Sequence, residues 1–200
     1  MPSDPIVHVI DDDDAARDSL AFLLETSGFP VQTYQSAVAF LDRITDAEPG
    51  CIISDMRMPG LTGLDLLRHL HNRKVSWPVI VITGQGDVAL AVESIKAGAV
   101  DFIEKPYHHE ELLGAVRSAL TADDNTREGE KTELRDRLAT LSPAERQVLD
   151  ALTDGQPNTT IAVNLVMTPR AVEIHRASIL TKMQARSLSH LVRMILLATA

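Results

Sequence analysis

The sequence predicts two domains: an α/β doubly wound five-stranded parallel sheet, followed by an all-α four-helix domain that contains a helix-turn-helix. Three observations carry this. Short apolar runs, four of them continuous and rich in Ile and Val, alternate with amphipathic segments over residues 1–121. Beyond residue 141 only helical patterns appear. The charge also divides. Residues 1–140 hold 13 Lys+Arg and 24 Asp+Glu, a net of −11, whereas residues 141–200 hold 6 and 4, a net of +2. An acidic front and a mildly basic back suggest two tasks.

In order, the strand patterns are Ile6–Ile10, Val31–Tyr34, Cys51–Ser54, Val79–Thr83 and Asp101–Glu104. Between and after them lie helical patterns at Ala15–Thr26, Ala37–Arg43, Gly63–Asn72, Val88–Ala97 and Glu110–Leu120, the first and fourth closed by Gly28 and Gly98. Alternation of this kind implies right-handed βαβ crossovers and a parallel sheet covered on both faces. Residues 122–140 are mostly polar and charged and read as a linker, helical in part because Leu134, Leu138 and Leu141 recur at helical spacing. Four helical segments follow in residues 141–200: Pro143–Asp154, Thr159–Val166, Pro169–Gln184 and Leu188–Ala198.

The bulk numbers exclude several classes. Apolar residues make up 44% of the chain, too many for a disordered protein. No basic stretch precedes an apolar run at the start, and no segment approaches the ~20 apolar residues that span a bilayer. Cys51 is the single cysteine, so it forms no internal disulfide and reads as a buried thiol. A reducing, cytoplasmic setting is the expectation.

Chemistry in a doubly wound sheet collects at the carboxyl ends of the strands. Those ends carry Asp11 and Asp12, then Asp55, Thr83 and Lys105. A strand order of 2-1-3-4-5 brings the first and third strands together, so three carboxylates are expected to converge. Clustered acids repel and need a cation; hard oxygen ligands at a cleft mouth suit Mg²⁺. With that charge neutralised, Asp55 can accept a phosphoryl group as an acyl phosphate. Lys105 supplies a positive charge for the phosphoryl oxygens, and Thr83 a hydroxyl donor beside Gly84, which leaves room. A cis Lys105–Pro106 bond is expected to place the ammonium at the cleft. Any one of these residues has a plainer role, such as helix capping by Asp13 or Asp14; the four strand ends together are the specific signal.

The segments carrying that signal resemble the receiver domain of response regulators, a flavodoxin-like fold. They are Val9-Ile10-Asp11-Asp12-Asp13, Ser54-Asp55-Met56-Arg57-Met58-Pro59-Gly60, Val81-Ile82-Thr83-Gly84 and Asp101-Phe102-Ile103-Glu104-Lys105-Pro106. The resemblance implies that a sensor histidine kinase phosphorylates Asp55. It also implies that Asp11, Asp12, Asp55 and the main-chain carbonyl of Arg57 surround Mg²⁺, and that Thr83 and Phe102 form a switch pair. On sequence alone Phe102 equally suits a core aromatic. A surface on the fourth helix and fifth strand, with Val88, Val92, Ala97 and Val100, is expected to serve dimerisation.

In the back part, Thr168 is a good N-cap and Pro169 a good first helical residue. Val172, Ile179 and Met183 recur at spacings of seven and four and would pack inward. Arg170, Glu173, Ile174, Ala177 and Thr181 then face away. Ile174 suits a thymine methyl and Glu173 a cytosine amine, while His175, Arg176 and Lys182 suit phosphates. The same spacing fits a plain bundle whose charged face is solvated. The segments Leu141-Ser142-Pro143-Ala144-Glu145-Arg146 and Val172-Glu173-Ile174-His175-Arg176, with Lys182-Met183, resemble the LuxR-type helix-turn-helix, and the whole chain resembles the FixJ subgroup (NarL/FixJ) of two-component regulators. Where that family commonly has a lysine, this chain has Thr159; Ala171 and Met167 also depart from the pattern. One fewer phosphate contact should flatten the salt dependence by about one unit.

The resemblance implies a DNA-binding transcriptional regulator without turnover of an external substrate. Expected partners are the kinase, double-stranded DNA, a second copy upon phosphorylation and RNA polymerase, with no membrane. An aspartyl-phosphate phosphatase would need a general acid two residues after the nucleophile, where Arg57 stands. A flavodoxin-like electron carrier would need a Ser/Thr/Gly phosphate loop where four aspartates stand. A receiver switched by protein contact without phosphorylation is the remaining alternative. FixJ relatives are associated with oxygen response and nitrogen fixation, a physiology that resides in kinase and promoters.

Overall fold

The computed structural model describes residues 5–84, 88–121, 133–185 and 188–199. They fall into two compact units, one of residues 5–84 and 97–121, the other of residues 88–96, 133–185 and 188–199.

In the first unit, β1 (Ile6–Ile10), β2 (Val31–Tyr34), β3 (Gly50–Asp55), β4 (Val79–Thr83) and β5 (Asp101–Glu104) form one parallel sheet in the order β2-β1-β3-β4-β5. α1 (Asp14–Thr26), α2 (Ala37–Leu41), α3 (Gly63–Asn72) and α5 (His109–Leu120) belong to the same unit; α4 (Val88–Lys96), which follows β4 in the chain, falls in the second. Alternate strand residues Val7, Val9, Cys51, Ile53, Ile80, Ile82 and Ile103 pack against Leu20 and Leu24 of α1 and Leu112 and Val116 of α5. Near-continuous burial along β3 and β4 is what two covered faces require.

Asp13 caps α1, accepting from the N–H groups of Ala15 and Ala16, and so directs the chain out of the acidic run. α2 ends at Leu41, two residues before the expected Arg43: the Arg43 N–H donates to the carbonyl of Phe40, a tighter turn than the helix it follows. α3 starts in a capping box. The Thr62 hydroxyl accepts from the Asp65 N–H, and the Asp65 carboxylate accepts from the Thr62 N–H.

On the other face of β1, fully buried His8 stacks on Trp77 with ring centres 5.2 Å apart and touches Tyr34 and Phe40. His8 Nε2 donates to the Glu48 carbonyl at 2.9 Å. Burial pushes its pKa down, against the raising effect of the Glu48 hydrogen bond.

The second unit holds, after residue 132, five helices: α6 (133–139), α7 (Pro143–Thr153), α8 (Asn158–Asn164), α9 (Pro169–Met183) and α10 (Leu188–Thr199). Ser142 opens α7 in a second capping box with Glu145. Val172, Ile179 and Met183 of α9 are all 0% exposed and share a core with Leu134, Leu141, Val148, Leu149, Leu152 and Ile161. The leucines behind the helical spacing of 134–141 therefore pack within this core, with Leu138 at its margin.

Candidate functional site

β1 and β3 are neighbours, and their carboxyl ends bring Asp11 and Asp55 together. Lys105, just past β5, reaches both: Nζ donates to Asp55 Oδ1 at 2.6 Å and to Asp11 Oδ2 at 3.3 Å. The Lys105–Pro106 peptide is cis, as expected. Asp55 Oδ2 accepts from the Arg57 main-chain N–H at 2.6 Å, and Asp11 Oδ1 from the Asp13 N–H at 2.9 Å. One ammonium thus ties the two acids, and backbone donors fix how each is turned.

The electrostatics follow from burial. Desolvation raises the Asp11 pKa, opposed by the Asp13 N–H and by Lys105. For Lys105 burial alone would lower the pKa. The hydrogen bond and charge of Asp55, with the charge of Asp11, outweigh it and hold the ammonium above its ordinary value.

Asp12 stands apart from Asp11 and Asp55 in its exposure. It is exposed, and among the described residues no group of three or more His, Cys, Asp or Glu side chains is assembled to hold a metal. Asp11, the first residue past β1, meets Asp55 here, while Asp12, the second, is exposed before α1 begins. The donor set is nonetheless all oxygen, and a buried carboxylate whose anion is disfavoured is one a divalent cation would stabilise. The residues fit Mg²⁺ on that chemistry.

Thr83 ends β4, fully buried, and its Oγ1 makes no hydrogen bond. Such an atom is costly and rare in native structures. Phe102, 4% exposed, pairs in register with Val81. Since side chains two apart on a strand share a face, Thr83 and Phe102 lie on the same side of the sheet.

Sequence reasoning missed Arg17. Its Nη1 donates to the Asp11 carbonyl at 2.9 Å and its Nη2 to the Asp14 carboxylate at 2.6 Å, so α1 braces the acidic loop from behind. A basic residue six places after Asp11 was the available signal.

In the second unit α8, a turn at 165–168 and α9 make the helix-turn-helix. Thr168 caps α9, its hydroxyl accepting from the Ala171 N–H. Arg170, Glu173, Ile174, Ala177 and Thr181 are exposed, and His175 is half-buried. Ile174 is 61% exposed, on the face of α9 away from the core. Arg176 and Lys182, expected on phosphates, are held by protein groups. Arg176 Nη1 donates to Asn158 Oδ1 at 2.7 Å, tying α9 to α8. Lys182 Nζ donates to Glu145 Oε2 at 2.7 Å, tying α9 to α7. Glu145 also accepts from the Ser178 hydroxyl and the Ser142 N–H, and these donors, Lys182 foremost, pull its pKa down to about 2.

A doubly wound sheet with acid, acid, hydroxyl and lysine at its strand ends, followed by a helix-turn-helix, defines the response-regulator class. The response regulator receiver domain model matches residues 7–117, and that of the bacterial regulatory proteins of the luxR family matches residues 139–195. Transcriptional regulatory protein FixJ of Azorhizobium caulinodans is 52% identical, over 99% of this chain and 95% of that one. FixJ of Rhizobium meliloti is 48% identical over 97% and 96%. Among solved structures, full-length FixJ from B. japonicum is 45% identical, covers 98% of this chain and 97% of its own, and has a TM-score of 0.55. The chain belongs to the FixJ-type two-component response regulators: a receiver domain joined to a LuxR-type DNA-binding domain. Its relatives are transcriptional regulators, not catalysts acting on an external substrate. Receiver domains of this family generally bind Mg²⁺ and are served by sensor kinases. No helix among the described residues is long and apolar enough to cross a membrane.

Proposed function

We propose that a sensor histidine kinase phosphorylates Asp55, and that this drives dimerisation and promoter binding by the second domain in the cytoplasm. The observation that carries the reading is the buried, unpartnered Thr83 hydroxyl at the strand end next to Asp55. A hydroxyl so placed gains a hydrogen bond only when an acceptor arrives, and a phosphoryl group on Asp55 is such an acceptor.

Asp11, Asp12, Asp55 and the Arg57 carbonyl would hold Mg²⁺, whose chemistry is to neutralise the acid cluster and the incoming phosphoryl oxygens. The chain's own residues do the rest. The Arg57 N–H fixes one Asp55 oxygen, leaving the other to attack phosphorus as the donor's bond to phosphorus breaks. Lys105 then turns from carboxylate to phosphoryl oxygen. Thr83 donates to the same group, and Phe102, on the same sheet face, repacks around it.

For DNA we assign Arg170, Glu173, Ile174, His175 and Ala177 to reading, while Arg176 and Lys182 serve by holding α9 in place. One copy with so small a positive charge binds weakly. A dimer doubles the contacts and sets half-site spacing, and RNA polymerase is the downstream partner. The domains in this reading are receiver 1–121, linker 122–140 and DNA-binding domain 141–200. The test is incubation with acetyl phosphate and Mg²⁺. Wild type should gain the mass of one labile phosphate and bind promoter DNA more tightly, and Asp55→Ala should do neither. Equal affinity with and without phosphodonor overturns the coupling and favours a receiver switched by contact alone.

A further inference from the structure

We infer that Gly63 is a positioning residue for Asp55, keeping clear the space into which the phosphoacceptor strand end must fit. The inference rests on the phosphotransfer reading above. Gly63 is the first residue of α3, fixed there by the Thr62–Asp65 capping box. Its N–H donates to the Met56 carbonyl at 3.0 Å, so the chain leaving β3 at Asp55 folds back and closes on itself within eight residues. A Cβ at position 63 would lie 2.7 Å from the Asp55 carbonyl oxygen, 3.2 Å from Met56 Cα and 3.4 Å from the Asp55 carbonyl carbon.

All three atoms are backbone, so no side-chain rotation relieves the contact. Conformation does not demand glycine here: Gly63 is absent from the positive-φ glycines, which are Gly28, Gly60, Gly98 and Gly155. In a helix alanine is ordinarily preferred to glycine. Space alone sets the requirement, and the atom that claims the space is the main chain of the phosphoacceptor itself.

A methyl group would therefore push the Asp55 backbone by roughly half an ångström, since contacts below ~3 Å lie deep in the repulsive wall. The carboxylate would move with it, out of line with Lys105 and the Arg57 N–H, each of which it meets at 2.6 Å. If a misplacement of 1 Å costs ~100-fold, half of that costs ~10-fold.

The experiment compares full-length wild type, Gly63→Ala and Leu70→Val with acetyl phosphate at saturating Mg²⁺. Leu70 is a buried residue of the same helix, two turns further along it, and it serves as the control for lost stability. Melting temperatures are recorded for each. Gly63→Ala should be phosphorylated ~10-fold more slowly, while Leu70→Val stays within about twofold of wild type at a comparable loss of melting temperature. Equal rates for Gly63→Ala and wild type, or equal slowing in both variants, overturn the inference. Absence of phosphorylation in wild type overturns the underlying reading instead. Should Gly63→Ala not fold in buffer, all three proteins are measured in an excluded osmolyte that favours the compact state, and the same comparison of rates decides.

Discussion

Replacing Thr83 by valine should stabilise the unphosphorylated protein and at the same time disconnect phosphorylation from DNA binding. The hydroxyl is buried and makes no hydrogen bond, so the fold bears its desolvation, about 1–3 kcal/mol for such a group. Valine has nearly the same shape, and a methyl in that space adds up to ~0.8 kcal/mol of apolar burial. Some strain in seating the methyl is subtracted, leaving a net gain of ~1–2 kcal/mol. Urea denaturation without phosphodonor should show the midpoint rising with an unchanged slope. The same variant should still gain a phosphate on Asp55, yet its affinity for promoter DNA should not respond. A midpoint equal to or below that of wild type refutes the accounting for Oγ1. A normal phosphodonor response refutes its role in transmission.

Three further outcomes follow from the second unit. Glu145→Gln should destabilise it by ~2 kcal/mol at pH 7: a pKa drawn from 4.5 to about 2 is worth ~3 kcal/mol, reduced by screening because Lys182 is 37% exposed. A depressed carboxylate pKa stabilises the fold above pH 4.5, and the stabilisation fades as pH falls from there toward 2. The gap between wild type and variant in urea titrations should therefore narrow below pH 4.5; a gap that holds steady down to pH 3 contradicts the ion pair. Arg176→Gln should weaken DNA binding without altering the salt slope, whereas Arg170→Gln should flatten the slope by about one unit. Titrations at several salt concentrations separate the two, and a flattened slope for Arg176→Gln would return that residue to the phosphates. Finally, Val166, the turn residue before α9, has φ +53° and is 93% exposed. A β-branched side chain there costs ~1–2 kcal/mol, of which glycine recovers about half after its own chain entropy is counted. Val166→Gly should therefore raise the melting temperature of the second unit, and a lower one contradicts the strain.

Much of this was legible in the residues. β1 and β4 begin and end where the Ile/Val runs do, because buried parallel strands need apolar residues on both faces, and β2 and β5 keep the expected bounds too. Val172, Ile179 and Met183 are the inward face of α9, as their spacing required. What sequence could not show is competition for a side chain. Spacing marks Arg176 and Lys182 as basic residues on a helix that could meet DNA, but Asn158 and Glu145, 18 and 37 positions earlier, reach them first. The run of four aspartates likewise does not show that Asp11 is buried at the sheet edge while Asp12 beside it is exposed, which depends on how the chain turns between β1 and α1. Gly63 gave no signal either, since the atom it makes way for belongs to a backbone eight residues before it.

The stacking of Trp77 on His8 has a practical consequence. Trp77 is the only tryptophan in the chain, and it sits against a buried imidazole in the first unit. Indole emission therefore reports on the packing of the receiver around Trp77, while far-ultraviolet dichroism sums over the helices of both units. Two optical signals recorded on one sample can thus tell which half of the protein lets go first.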